Sequence, residues 1–174
     1  MQEHERKALS QARLEHAIEC LSAARNLLKT ENYKSAAIRS YYAVFHAMRA
    51  VLAFDEIDMK HHSGIISEFR RRYIKTGIFE TRMSEIISVL FDVRTDSDYD
   101  DFFVISKADT AAQIENAAYF VDRIAVYLKS KQKMDETAQR YTVCASGLFF
   151  SRCCRRVRSV TFFVVLIVLQ ICGG

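Results

Sequence analysis

The sequence predicts an all-α protein that folds as an antiparallel up-and-down bundle of about five helices. Three observations favour this fold class. The chain of 174 residues contains no proline and only five glycines, so few residues interrupt helices. Half of the residues are apolar, which is enough to form a buried core. These apolar residues recur at the spacing of three and four residues that is typical of one helix face.

The first two helices are predicted over residues 5–28 and 33–54. One face of the second helix carries large apolar side chains, namely Tyr41, Phe45, Met48 and Leu52. The opposite face carries Arg39, Ala43, His46 and Ala50. Small side chains allow a neighbouring helix to approach closely, so a helix of this kind usually lies at the centre of a bundle.

A third helix is predicted to begin with Ser63 as its N-cap and to end near Gly77. A fourth helix is predicted over residues 81–93. The acidic stretch that follows, residues 95–105, is interpreted as a loop or a frayed helix end. The helical pattern therefore pauses at the point where the acidic residues begin.

A long fifth helix is predicted to begin after Ser106, with Asp109 three residues later as in a capping box. Its apolar residues repeat at alternating steps of four and three, at Ile114, Ala118, Val121, Ala125 and Leu128. This pattern is typical of a packing seam in a bundle or against a partner helix. Together with the Ala43 and Ala50 face, it indicates more apolar surface than one bundle requires and predicts a homodimer.

Charge is distributed unevenly along the chain. Residues 1–134 carry 20 basic and 19 acidic residues, whereas residues 135–174 carry 5 and 2. The first part is nearly neutral, so its bulk charge gives no indication of nucleic-acid binding. The first residues are charged and show no secretory signal pattern, and Cys20 is the only cysteine among residues 1–134. These features predict a reducing cytoplasmic location without a disulfide framework.

Residues 135–174 are predicted to form an atypical tail outside the bundle. Four of the five cysteines lie after residue 141, and the basic stretch RCCRRVR precedes an apolar run of about ten residues. A membrane-spanning helix needs about 20 such residues. The tail is interpreted as an out-of-frame, read-through or divergent extension, and its removal is expected to leave the melting temperature of the bundle unchanged. The alternative is an interfacial membrane anchor with acylated cysteines.

Three pieces of the chain together resemble a HEPN domain. They are SAAIRSYYAVFHAMRAVL, KHHSGIISEFRRRYIKTG and LFDVRTDSDYDDF, and they occur in this order within residues 8–132. The resemblance is to small stand-alone bacterial and archaeal members, which are related to HEPN toxins. It implies a helical bundle that is often a homodimer. Many members are metal-independent ribonucleases, and many are toxins paired with a minimal nucleotidyltransferase antitoxin.

The family's catalytic motif is an arginine followed, after four to six residues, by a histidine. The histidine moves the proton of the RNA 2′-hydroxyl, and the arginine stabilises the charge on the scissile phosphate. The resemblance places the arginine on Arg94 and the histidine position on Tyr99. The tyrosine that toxin members carry two residues later is replaced by Asp101.

The resemblance therefore implies a family site that lacks its histidine. Tyrosine, with a reference pKa of about 10, is a poor base at neutral pH, and the surrounding aspartates repel a phosphate backbone. Arg94 is then interpreted as a structural residue held by Asp96 or Asp98. Asp98 is also a candidate ligand-binding residue. The alternation of Asp96, Asp98 and Asp100 is similar to a calcium loop but lacks its glycine and closing glutamate, so no metal site is predicted.

Two further residue groups are candidates for a site. Arg39 and His46 lie seven residues apart on one helix face, where they are either buried against neighbours or available as a substitute catalytic pair. His62 opens the third helix, where it either binds an anion together with free backbone amides or has a capping or packing role. Arg39 and His62 are thus candidate ligand-binding residues, and His46 is a candidate replacement for the missing catalytic histidine.

Three functions remain open from the sequence. The favoured one is a dimeric interaction or regulatory module paired with a minimal nucleotidyltransferase in a toxin–antitoxin-like system, with the Arg94 regions of two protomers facing each other. The second is a metal-independent ribonuclease toxin that uses Arg94, Tyr99 and His46. The third is an RNA- or nucleotide-binding module without cleavage. No cofactor is expected, and membrane attachment is expected only if the tail acts as an anchor.

Overall fold

A computed structural model of the protein describes residues 3–59, 61–100 and 102–146, with the side chains of residue 136 and residues 138–146 left out. The regular secondary structure of the described residues is helical throughout: α1 (Glu3–Lys29), α2 (Tyr33–Phe54), α3 (His62–Phe69) with a π-helical turn (Arg70–Ile74), α4 (Thr81–Tyr99) and α5 (Lys107–Ser146). The predicted all-α fold class is confirmed. Contacts group Met1–Lys133 into one unit and Met134–Gly174 into a second. The interpretations of the tail from residue 147 onward lie outside the described residues.

Helix α2 lies at the centre of the first unit and packs against α1, α3 and α4. Both of its faces are buried, because Tyr41 and Met48 on the large face and Ala43 and Ala50 on the small face are all fully covered. The Oγ of Ser10 in α1 donates a hydrogen bond to the carbonyl of Ala50 at 2.8 Å. Such close approach is possible because alanine adds little volume. The Ala43 and Ala50 face is therefore covered by α1 and does not offer free surface for a second copy, contrary to the prediction.

The seam of α5 is likewise covered within the chain. Ile114, Val121 and Leu128 are buried in the common core, and Phe120 contacts Phe69 of α3 with ring centroids 5.7 Å apart. This second argument for a homodimer is therefore also wrong, since the seam holds α5 against its own bundle. No helix among the described residues combines the length and the apolar character that crossing a bilayer requires.

The predicted cap of α5 is confirmed, because the backbone N–H of Asp109 donates to Oγ of Ser106 at 3.1 Å. The predicted cap of α3 is wrong. Helix α3 begins at His62 with His61 in the N-cap position, so Ser63 already lies within the helix. After the π-helical turn, Gly77 has a φ of +77°, a left-handed conformation that glycine adopts without strain.

Helix α4 extends six residues further than predicted and ends at Tyr99. An ion pair joins Arg94 to Asp98 over one turn at 2.9 Å, and the N–H of Asp100 donates to the carbonyl of Asp96 at 2.8 Å. Ser97 in this turn is buried. The acidic composition predicts a loop, but the Arg94 charge and the packing of the Ser97 side keep this stretch helical.

Candidate functional site

Arg94 lies near the end of α4 at a partly buried position. Its Nη2 is 2.9 Å from Oδ2 of Asp98, and its guanidinium also interacts with the side chain of Tyr42. Burial by itself lowers the pKa of Arg94, but Tyr42, Asp98 and Tyr41 outweigh burial and raise that pKa overall. Arg94 is therefore a permanent positive charge. Its buried Nε has no hydrogen-bond partner within the described part of the chain.

His62, the first residue of α3, lies against the same region of α2. Its ring stacks on Phe45 with centroids 4.0 Å apart, and its Nδ1 is 2.8 Å from the hydroxyl of Tyr41. Burial lowers the pKa of His62, and the charges of Arg94 and Arg49 lower it further. The imidazole is therefore neutral at physiological pH. The fold thus brings a neutral histidine within electrostatic reach of Arg94.

Two aromatic residues of α2 account for this arrangement. Tyr41 is fully buried and contacts the rings of Phe91 in α4 and His62 in α3, each with centroids 6.0 Å apart. Arg94 follows Phe91 by three residues and lies on the same side of α4. Tyr41 and Phe45, one turn apart on α2, therefore position the end of α4 and the beginning of α3 side by side.

A groove of about 520 Å³ runs between α3, its π-helical turn and α4. Its lining includes Ser63, which follows His62 in sequence, and Phe91, which lies three residues before Arg94 on α4. Three basic side chains also line it: Arg70, Arg71 and Lys75. Asp92 adds one acidic group. Arg71 is paired with Glu68 at 2.6 Å, so Arg70 and Lys75 leave a small excess of basic charge, which suits a bound phosphate group.

The Arg39 and His46 pair lies on the α1 side of α2. The ring of His46 meets that of His16 in α1 with centroids 4.2 Å apart and planes at 82°. Arg39 is exposed, not buried against neighbours as expected, and its positive charge interacts with Cys20 of α1. Arg39 and His46 are therefore both engaged with α1, whereas Arg94 and His62 interact with the tyrosine face of α2.

His46 is poorly suited to replace the missing catalytic histidine. Burial is the largest cause that lowers its pKa to about 4, and electrostatic interactions with His16, Arg49, Arg13 and His62 act in the same direction. A base with so low a pKa accepts a proton weakly near neutral pH. The catalytic role of His46 stays a prediction, but on this physical ground His62 is the stronger candidate.

Tyr99 and Asp98 complete the residues singled out from the sequence. The side chain of Tyr99 is 83% exposed at the end of α4. Asp98 is engaged with Arg94, so any ligand bound by Asp98 must compete with that ion pair. The roles of both residues stay predictions, because their geometry alone does not assign a ligand.

The sequence did not reveal that His62 lies close to Arg94, or that Tyr41 and Tyr42 belong to the same cluster. The only local signal is the placement of Tyr41 and Phe45 one turn apart on a helix that also carries small residues. That pattern predicts a buried face. It does not identify the histidine or the arginine that packs against it, since both come from other helices.

Comparison with known proteins identifies the family. The family model described as the HEPN domain matches residues 10–130. Two Methanocaldococcus jannaschii proteins, provisionally named as toxins, are 32% and 34% identical to the chain. Each alignment covers 68% of this chain, and the two cover 80% and 88% of those proteins. A Thermotoga maritima protein named UPF0332 is 32% identical over 62% of this chain and 82% of its own length.

A solved structure agrees with the fold. The crystal structure of ST0689, described as an archaeal HEPN homologue, superimposes with a TM-score of 0.55. The superposition covers 68% of this chain and 97% of the other, at 17% sequence identity. The family model covers most of the chain, and the relatives above 30% identity are matched over most of their length. The chain therefore belongs to the HEPN domain family.

Proposed function

We propose that this HEPN protein is a homodimeric interaction module of a toxin–antitoxin-type system, whose partner is a minimal nucleotidyltransferase. The names of the two Methanocaldococcus relatives support the toxin-type context. The observation that carries the interaction role is a set of exposed apolar side chains immediately after Arg94. These are Tyr99, Phe102 and Val104, which we call the exposed apolar set.

The side chains of the exposed apolar set are more exposed than the other large apolar side chains on the described surface. Its three side chains are 83%, 89% and 89% exposed. The other large apolar side chains that reach the surface of the described residues are between 37% and 65% exposed. Single exposed apolar residues are common on proteins, but three nearly bare ones within six positions indicate a contact surface.

The connection between α4 and α5 holds Phe102 and Val104 in place, whereas Tyr99 is the last residue of α4. Along it, Phe102 and Val104 are exposed, whereas Phe103 and Ile105 are partly buried. Alternation with a period of two is typical of an extended chain with one face against the protein. The Nζ of Lys34 at the start of α2 lies 5.9 Å from the centroid of the Phe103 ring. The inward side chains thus anchor the connection, and the outward ones are presented to a partner.

A second copy of the chain is the occupant that this surface fits best. Twofold homodimers use the same surface patch on both subunits. The connection between α4 and α5 is short, so the connections of two copies can lie against each other across a twofold axis. Asp96, Asp98 and Asp100 flank the exposed apolar set, so two copies bring like charges together. The association should therefore be apolar in origin and should strengthen as salt screens the carboxylates. The Arg94 regions of both protomers would lie near the axis.

Light scattering of the full chain during size-exclusion chromatography tests the dimer. We expect a dimer at tens of micromolar, and a monomer for the Phe102→Asp, Val104→Asp double variant. Val89→Asp is the matched control, since Val89 is an exposed apolar residue of α4 outside the set, and it should leave the dimer intact. A monomeric wild-type protein, or a dimer that is unchanged in the double variant, would contradict the proposal.

Co-expression tests the nucleotidyltransferase partner separately. A small nucleotidyltransferase encoded next to this protein should co-purify with the wild type in a defined ratio. The double variant then shows whether the partner needs the dimer. If such a nucleotidyltransferase does not co-purify, the pairing is refuted while the dimer stands.

RNA cleavage is a second candidate function, favoured by the proximity of His62 and Arg94. If the proton of His62 is on Nδ1, that nitrogen donates to Tyr41 and leaves the Nε2 lone pair free to accept a proton from a 2′-hydroxyl. Arg94 would stabilise the phosphate, and the basic groove would bind the adjoining RNA. Binding at Arg94 requires that the phosphate displaces Asp98.

A labelled single-stranded RNA incubated with the protein in EDTA tests this candidate. Under this mechanism His62→Gln and Arg94→Gln each lower cleavage about a hundredfold or more. His46→Gln is the matched control and should retain activity. If purified protein leaves RNA intact, the second candidate fails; if only His46→Gln abolishes cleavage, the catalytic histidine is His46 and not His62.

A further inference from the structure

Three side chains of types that commonly ligate metals lie together between α1 and α2. Among the described residues, His16, Cys20 and His46 offer ligand atoms that all lie within 4.8 Å of one another. His16 and Cys20 are one turn apart on α1, and His46 faces them from α2. The site is accessible from solvent through His16, whose side chain is 51% exposed, while Cys20 is buried.

We propose that His16, Cys20 and His46 bind a zinc-type divalent transition-metal ion that links α1 to α2. This site is independent of the proposed dimer and of RNA cleavage. Imidazole nitrogen and thiolate sulfur are the donors that Zn²⁺ and Co²⁺ prefer, whereas Mg²⁺ and Ca²⁺ prefer oxygen. Three protein ligands leave one coordination position for water or another small ligand.

The spacing of the three side chains is close to what a tetrahedral ion needs. Zinc lies about 2.0–2.3 Å from nitrogen and sulfur, so its ligand atoms are about 3.3–3.6 Å apart. The separations here, up to 4.8 Å, therefore have to shorten by about an ångström. His16 can make this adjustment most easily because half of its side chain is free of contacts with the core.

Groups around the three ligands fit a metal site in two further ways. Oε2 of Glu19 lies 3.4 Å from Nδ1 of His16, which is the carboxylate contact that commonly orients a metal-bound histidine through its other nitrogen. Burial raises the pKa of the Cys20 thiol, and the positive charge of Arg39 acts in the opposite direction and favours the thiolate form.

Two neighbouring arginines oppose a cation, but a shared aspartate offsets much of their charge. The Nη2 atoms of Arg13 and Arg49 lie 2.9 Å and 3.6 Å from Oδ1 of Asp58. A thiolate at Cys20 adds a further negative charge when the ion binds. The net local charge therefore permits a divalent ion, in particular one whose fourth ligand is an anion.

Cobalt titration of the reduced full chain, followed by absorption spectroscopy, tests the site. We expect one equivalent to give tetrahedral ligand-field bands and a thiolate-to-cobalt charge-transfer band. Cys20→Ser should remove the charge-transfer band, and the comparison is matched because both proteins keep the cysteines at 144, 153, 154 and 172. Unchanged stoichiometry and spectrum in Cys20→Ser would overturn the proposal.

His16→Gln keeps the test decisive if the buried cysteine variant does not fold. His16 is half exposed, so this variant should fold and yet lose cobalt affinity by more than tenfold. Glu19→Gln should lose affinity by about tenfold, and His61→Gln, an exposed histidine outside the cluster, should bind as the wild type does. Zinc should raise the melting temperature of the wild type but not of His16→Gln. Equal cobalt affinity of wild type and His16→Gln would refute the site.

Discussion

The hydroxyl of Tyr41 lies 2.8 Å from Nδ1 of His62 and joins the centre of α2 to the first residue of α3. Burial raises the pKa of Tyr41 to about 12, although Arg94 acts in the opposite direction. Tyr41 therefore keeps its proton at neutral pH. The ring of Phe45 also stacks on His62, so Tyr41 and Phe45 together hold this histidine against α2.

The first prediction concerns this hydrogen bond. Tyr41→Phe should lower the free energy of unfolding by about 1 kcal/mol, because the buried ring remains while His62 loses a partner. Urea denaturation measures the change. Tyr99→Phe is the control, since this hydroxyl is largely exposed, and its effect should be near zero. Equal effects of the two changes would show that the Tyr41 contact adds no stability.

The second prediction concerns the pH dependence that His62 imposes. Burial, then Arg94 and Arg49, lower its pKa in the folded state below the ordinary value of 6.5. Below that value the unfolded chain binds more protons than the folded one. The stability contributed by His62 is therefore present above pH 6.5 and is lost as the pH falls through the lower, folded-state pKa.

Urea midpoints measured at a series of pH values between neutral and mildly acidic conditions check this prediction. The wild type should lose stability more steeply on acidification than His62→Gln, in which Gln keeps polar atoms but does not titrate. The carboxylates and the remaining histidines are common to both proteins, so their contributions cancel. Parallel pH profiles would contradict a lowered pKa at His62.

The third prediction concerns Arg94. Arg94→Ala should destabilise the protein by about 1–2 kcal/mol, because it removes the interaction with Tyr42 and the packing of the largely buried aliphatic stem. The ion pair itself should add less than about 1 kcal/mol, since Asp98 is 40% exposed and solvent screens it. Asp98→Asn should be introduced into both the wild type and Arg94→Ala. Comparing the thermal unfolding of the four proteins isolates the contribution of the ion pair.

A matched control for Arg94 is available on α5. Arg123 is 55% exposed, and its Nε lies 3.9 Å from Oε1 of Glu80. Arg123→Ala should therefore change stability by no more than about 0.5 kcal/mol. If both alanine variants had the same small effect on stability, Arg94 would have no structural role, and a ligand-binding role would be the one left for it.

The fourth prediction concerns the close approach of α1 and α2. Ala50→Leu should cost about 1–3 kcal/mol, because Ala50 has no exposed surface and its carbonyl accepts a hydrogen bond from Ser10. Ala112→Leu on the exposed face of α5 is the control and should be nearly neutral. A tolerated Ala50→Leu would show that this face is open, as the sequence by itself predicts.

The sequence by itself determined the fold class, the bounds of α2 and the cap of α5. Each of these depends on contacts within a few residues along the chain. Apolar spacing defines helix faces, the scarcity of glycine and proline leaves the helices long, and Ser106 meets Asp109 within one turn. The resemblance to HEPN domains also rested on residues in sequence order, and the family match confirms it.

Only the tertiary structure decided which residues meet. The end of α4 stays helical through an ion pair and a buried Ser97, whereas local composition predicts a loop. His62 approaches Arg94, and His16 and Cys20 approach His46, because α2 is buried on both faces and packs a different helix against each. Such contacts depend on the packing of helices far apart in sequence, and no local spacing in one chain specifies them.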